Sequence, residues 1–122
     1  MLLENFEIVK VDDIIVIVAH LICPTYLEAK EFKEIINLQV GLGHKKFVVD
    51  ISLCEHIDST FIGAIIQSFK RVTSVGGALR IVKPVNSGVD IFILTKTLNV
   101  FDLYNTREDA IQSFDSDSQP KS

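Results

Sequence analysis

Hydrophobic residues along this chain fall into short, dense runs and longer, periodic ones. Phe6-Glu7-Ile8-Val9-Lys10-Val11 and Ile14-Ile15-Val16-Ile17-Val18-Ala19 are β-rich runs with only Asp12-Asp13 between them. So short an acidic connection predicts a hairpin. The second run is apolar throughout, as a strand covered on both faces should be. Pro24-Thr25 then opens a predicted helix carrying Leu27, Phe32, Ile35 and Ile36 on one side and Glu28, Glu31 and Glu34 elsewhere, ended by Gly41 and Gly43. Phe47-Val48-Val49-Asp50-Ile51 predicts another buried strand. After it, Phe61, Ile62, Ile65, Ile66, Phe69 and Val72 keep a 3.6-residue period up to Gly76-Gly77.

Leu79-Arg80-Ile81-Val82 is the next strand, stopped by Pro84. Ser87, with Asp90 three residues on, starts a short helix through Ile91 and Leu94. Val100 to Tyr104 reads as a last short strand, and Thr106 with Asp109 caps a final helix through Ala110, Ile111 and Phe114. The expected order is β-β-α-β-α-β-α-β-α. Strands joined through helices imply a mostly parallel sheet with right-handed crossovers, here with an antiparallel hairpin at the start. The fold class is therefore α/β, a single domain over residues 1–114. Residues 115–122, rich in Asp, Ser, Gln, Pro and Lys, are expected to form a disordered tail. Helices that follow strands begin at the carboxyl edge of such a sheet, where ligands and partners usually dock.

Composition narrows the functions. The 122 residues are 48% hydrophobic, enough for one well-filled core, and the net charge of −4 with a pI near 5.3 argues against a nucleic-acid partner. No apolar run reaches membrane-spanning length, and Met1-Leu2-Leu3-Glu4-Asn5 lacks the pattern of a signal peptide. Cys23 and Cys54 have no C-x-x-C spacing; they read as reduced thiols of a cytoplasmic protein, with a disulfide as the alternative.

Asp58-Ser59-Thr60 stands just before the second helical pattern, the long run starting at Phe61. A hydroxyl at a helix N-terminus faces outward-pointing N–H groups and a dipole that favours negative charge. A phosphate there would bring about −1.5 to −2 charge. Asp, Ser and Thr are also the ordinary helix-capping residues, so the cluster alone is equally an N-cap.

Other chemistry is poorly supported by the residues. Gly41-Leu42-Gly43 precedes a strand, the wrong context for a dinucleotide loop, and no Walker loop occurs. His20, His44 and His56 have no metal-ligand spacing. A serine hydrolase would need a glycine-flanked elbow and a later His, and none follows His56. Asp12-Asp13, Asp50 and Lys83-Pro84 superficially resemble the acidic pair, phosphoacceptor and lysine of a two-component receiver. In a receiver the acidic pair leads into a helix, whereas Ile14 to Ala19 is strand-like. A non-enzyme without catalytic residue, metal or cofactor is expected.

The chain resembles a STAS domain of the anti-sigma-factor antagonist type. Phe47 to Ile51 followed by Ile57-Asp58-Ser59-Thr60 and Gly63 is similar to that family's signature, an apolar strand ending in Asp, a short loop, then Asp-Ser-Ser/Thr-Gly-Leu-Gly. Gly77 to Val82 fits its glycine-then-strand pattern, and Ala19-His20-Leu21 stands where Gly-x-Leu is common. Phe61 replaces a glycine and Ile62 a leucine. The resemblance implies that Ser59 is the phosphorylation site, and that Asp58, Ser59, Thr60, Phe61 and Gly63 belong to the partner-binding region. It implies two partners, an anti-sigma factor that is a GHKL-type serine kinase and a PP2C-type phosphatase that removes the phosphate. The unphosphorylated form would sequester the kinase and free a sigma factor. The alternative is a non-phosphorylated STAS scaffold in a stress-signalling complex or lipid-transport machine. Homodimers are compatible with either reading and are not legible in the sequence.

Overall fold

A computed structural model describes residues 5–85 and 103–118. Its elements, in chain order, are β1 (Phe6–Val11), β2 (Ile14–Ala19), α1 (Tyr26–Gly41), β3 (Lys46–Asp50), α2 (Ser59–Ser74), β4 (Ala78–Val82), β5 (Leu103–Tyr104) and α3 (Arg107–Ser118). The five strands form one sheet in the order β1-β2-β3-β4-β5. β1 and β2 pair antiparallel and every other neighbour pairs parallel. The α/β class, the opening hairpin and the parallel remainder are therefore as expected. The short helix expected between Ser87 and Leu94 lies outside the described residues, as does the stretch from Val100 to Asp102.

Alternation of side chains divides the sheet between two cores. Ile15, Ile17, Phe47, Val49, Leu79 and Ile81 face α1 and α2 on one side. Ile14, Val16, Val18, Val48 and Val82 face Ala110 and Phe114 of α3 on the other. β2 is buried at every position because it lies inside the sheet with a helical layer on each face. At the hairpin, Asp12 adopts a φ of 55°, a left-handed conformation that Asp tolerates better than most residues. Next to it the Asp13 carboxylate meets Lys46 Nζ at 3.0 Å, and that hydrogen bond holds its pKa below the usual value.

Helix boundaries follow from capping. Thr25 accepts from the Leu27 amide while Glu28 reaches back to the Thr25 amide, a complete capping box. α2 ends in a Schellman turn: Gly76 has a φ of 80°, and the Gly77 amide donates to the Val72 carbonyl at 2.9 Å. A Cβ on Gly77 would run into the Lys45 carbonyl oxygen, so the turn passes too close to the start of β3 for any side chain.

Two expectations change. Leu27 does not share the buried side of α1: it is 65% exposed, while Ala29, Phe32, Ile35, Ile36 and Val40 are buried. Five residues before Phe32, it points about 140° away at 3.6 residues per turn. α3 also runs to Ser118 rather than stopping near Phe114; Gln119 to Ser122 lie outside the described residues. The Asp109 amide donates to Thr106 Oγ1 at 3.1 Å, which fixes its start where the sequence placed it.

Candidate phosphoacceptor edge

Two loops at the carboxyl edge of the sheet are stitched together by their backbones. Residues 20–25 connect β2 to α1, and residues 51–58 connect β3 to α2. Glu55 and His56 both donate to the Ile22 carbonyl, at 2.7 and 3.1 Å, and Asp58 donates to the Pro24 carbonyl at 3.4 Å. A third segment joins where the Val85 amide donates to the Ser52 carbonyl at 3.1 Å. Ile51 and Cys54 anchor the second loop by sitting wholly inside the core. Burial pushes the Cys54 thiol up to about 12, whereas Cys23 on the facing loop is exposed; both are free thiols.

This loop delivers Asp58 as the N-cap of α2. Its backbone is extended (φ −78°, ψ 165°), and its Oδ1 accepts from the Phe61 amide at 2.9 Å. Ser59 and Thr60 are the first two helical residues, and both are exposed. The Ser59 hydroxyl thus stands in solvent at the positive end of a 16-residue helix. Among the described residues, none would need to open for another macromolecule to reach it.

Phe61 behaves differently from its neighbours. It is 0% exposed and cannot touch a partner directly, which removes it from the expected contact surface. Its ring lies 6.4 Å from Phe6 in a stacked arrangement and 5.5 Å from Phe32 at 49°, and Phe6 and Phe32 are themselves 5.9 Å apart. The bulky side chain that replaces a glycine is thus absorbed by an aromatic triad, and it ties the first turn of α2 to β1 and α1. Gly63 is half-buried with open space where a Cβ would stand. Four residues after Ser59 and three after Thr60, it shares their helix face and leaves it flat.

Asp50, at the end of β3, has architectural partners among the described residues. Its carboxylate is 4% exposed; Oδ1 accepts from the Ser52 amide at 3.0 Å and Oδ2 meets Arg107 Nε and Nη2 at 3.1 and 3.0 Å. The pair links the strand leading into the Ser59 loop to α3, a bidentate-capable cation against a desolvated carboxylate. Sequence reading treated Asp50 as a strand-end polar residue and did not foresee Arg107. It also passed over Ile22, Leu53 and Val85. These three large apolar residues are exposed on the same edge and line a depression of about 620 Å³. Apolar residues inside turn-like, polar segments were the available signal for them. Among the described residues no group of three His, Cys, Asp or Glu side chains could hold a metal ion, and no helix is long and apolar enough to cross a membrane.

A mixed sheet with helices on both faces and a capped serine displayed at its carboxyl edge defines a small α/β domain. The sequence model for the STAS domain matches residues 5–110, and the chain belongs to that family. No curated protein sequence matches it. Solved structures do. A Thermotoga maritima protein described as a candidate anti-sigma factor antagonist is 26% identical, with a TM-score of 0.74 over 90% of this chain and 94% of its own. The anti-sigma factor antagonist SpoIIAA in its unphosphorylated form is 16% identical, with a TM-score of 0.71 over 90% of this chain and 97% of its own. A variant of Moorella thermoacetica RsbS is 22% identical, with a TM-score of 0.73 over 93% and 97% of the two chains. The last two comparisons speak to the fold alone.

Proposed function

We propose that this STAS domain is an anti-sigma factor antagonist whose partner binding is switched by phosphorylation of Ser59. In its unmodified form it docks a GHKL-type serine kinase in the cytoplasm and so frees a sigma factor; a PP2C-type phosphatase resets it. One observation carries the reading: the Ser59 hydroxyl is solvent-exposed on a helix N-terminus that is capped by Asp58 and followed by a fully buried Phe61. SpoIIAA, a fold relative, is known in both unphosphorylated and phosphorylated forms, which supports the same site logic.

The switch needs no refolding. Docking of a standard interface buries about 800 Å² per partner. A phosphate on Ser59 would put a dianion beside the Asp58 carboxylate within that contact, and an unpaired charge buried there costs on the order of 3–5 kcal/mol. At about 1.4 kcal/mol per tenfold change in affinity, that is a loss of two to four decades. Asp58, Ser59, Thr60 and the flat patch at Gly63 form the contact, extended by the apolar Ile22 and Leu53.

The test is incubation of the purified chain with ATP and a candidate GHKL kinase, followed by mass spectrometry and binding measurements. A single phosphate on Ser59, tight binding by Ser59→Ala and loss of binding by Ser59→Asp are expected. Equal binding by both variants, or no phosphate on a chain that still binds its partner, favours the unphosphorylated scaffold instead.

A further inference from the structure

Midway along α1 and α2 the two helices face each other across a polar gap. Lys33 and Asn37, one turn apart on α1, meet Gln67, Ser68 and Arg71 of α2 around a cavity of about 160 Å³. Ser68 is only 3% exposed, yet its Oγ has no hydrogen-bond partner among the described residues. A serine inside a helix can donate to the carbonyl four residues back; this one does not. Buried hydroxyls are almost always satisfied, and one left open beside a cavity points to a group the protein itself does not supply.

The rest of the wall specifies that group's charge. Lys33 and Arg71 carry no carboxylate partner among the described residues. No acidic residue lines the gap, so an ammonium, a guanidinium, two side-chain amides and a hydroxyl converge with nothing to neutralise the cations. The volume is well below the roughly 300–1,000 Å³ of ordinary small-molecule pockets, so a nucleotide does not fit.

We propose that this gap is a binding site for a small inorganic oxyanion, phosphate or sulfate, with Arg71 and Lys33 balancing its charge and Ser68 Oγ donating a hydrogen bond to it. Ser68 lies nine residues beyond Ser59, about 13 Å further along the axis of α2. The site is distinct from the phosphoacceptor and does not rest on the switch reading.

Titrating sodium phosphate, then sodium sulfate, into the ¹⁵N-labelled full chain tests the proposal, with sodium chloride at matched ionic strength and pH as the control. Saturable shifts centred on Asn37, Gln67, Ser68 and Arg71 are expected with both oxyanions and not with chloride. Arg71→Gln, an exposed position where the fold tolerates the change, should weaken binding at least tenfold. Ser68→Ala, which removes an unpartnered hydroxyl, should weaken it several-fold. Shifts that stay linear, that chloride reproduces, or that saturate only around Ser59 and Thr60 would overturn the site. So would unchanged affinity in Arg71→Gln.

Discussion

Replacing Phe61 by Ala separates two roles that the sequence leaves entangled. If the ring met a partner, the variant would fold normally and bind badly. With Phe61 fully buried against Phe6 and Phe32, the loss should instead appear in stability. Truncating a buried Phe to Ala costs about 3–5 kcal/mol, and each aromatic pair contributes about 0.5–1.5 kcal/mol beyond simple burial. The triad surrounds the site on two sides, so little collapse is available to refill the space, and about 4 kcal/mol is the expected loss. Total stability of a domain this size is about 5–15 kcal/mol, so the change is a large fraction of the whole. In urea, with a slope near 2 kcal/mol/M, the unfolding midpoint should fall by about 2 M. Phe61→Leu retains most of the volume and should lose well under half as much. Equilibrium unfolding followed by far-UV circular dichroism measures both. A midpoint shift below about 0.5 M in Phe61→Ala would mean that the ring is not packed as described, and the argument that it anchors the first turn of α2 would fail with it.

Three other outcomes can be checked with the same instruments. Arg107→Ala leaves the buried Asp50 carboxylate with the Ser52 amide as its remaining partner among the described residues and should destabilise by about 1–3 kcal/mol; adding Asp50→Asn should recover part of that, as a double-mutant cycle would register. Gly63→Ala, entering open space within a helix, should be neutral or stabilising by up to about 1 kcal/mol. Gly77→Ala must displace the Lys45 backbone and should lose about 1–3 kcal/mol in thermal melts. For Cys54, burial raises the thiol from 9.0 to about 12, so folding favours its protonated form. That contribution is complete below pH 9 and is lost as pH climbs from 9 towards 12; urea midpoints across this range should decline more steeply than in Cys54→Ala.

Legibility in the sequence followed the range of the interaction. β2 could be placed inside the sheet because its apolar run is a local statement about both faces. The caps at Thr25, Asp58 and Thr106 were readable because each partner lies within three residues. Leu27 was misplaced because one turn of flanking sequence cannot tell a helix's buried stripe from an isolated apolar residue on its far side. The Asp50–Arg107 pair spans 57 positions, and only the closed sheet brings it together. Phe61 carried a periodic signal but not its destination, which depends on Phe6 and Phe32 arriving from separate elements. The site was legible as a capped serine at a strand-to-helix junction. Its apolar surround, made by Ile22, Leu53 and Val85, was not, since three separated loops supply one residue each.

That last arrangement has a consequence for when the edge becomes available. Ile22, Ser52 and Val85 come from distant parts of the chain and are held by cross-loop backbone bonds, so no contiguous peptide reproduces the surface. A partner that recognises it reads a conformational epitope, present on finished molecules and missing from nascent or unfolded ones. A synthetic peptide spanning the serine should therefore compete poorly with the intact domain, and recognition doubles as an inspection of folding.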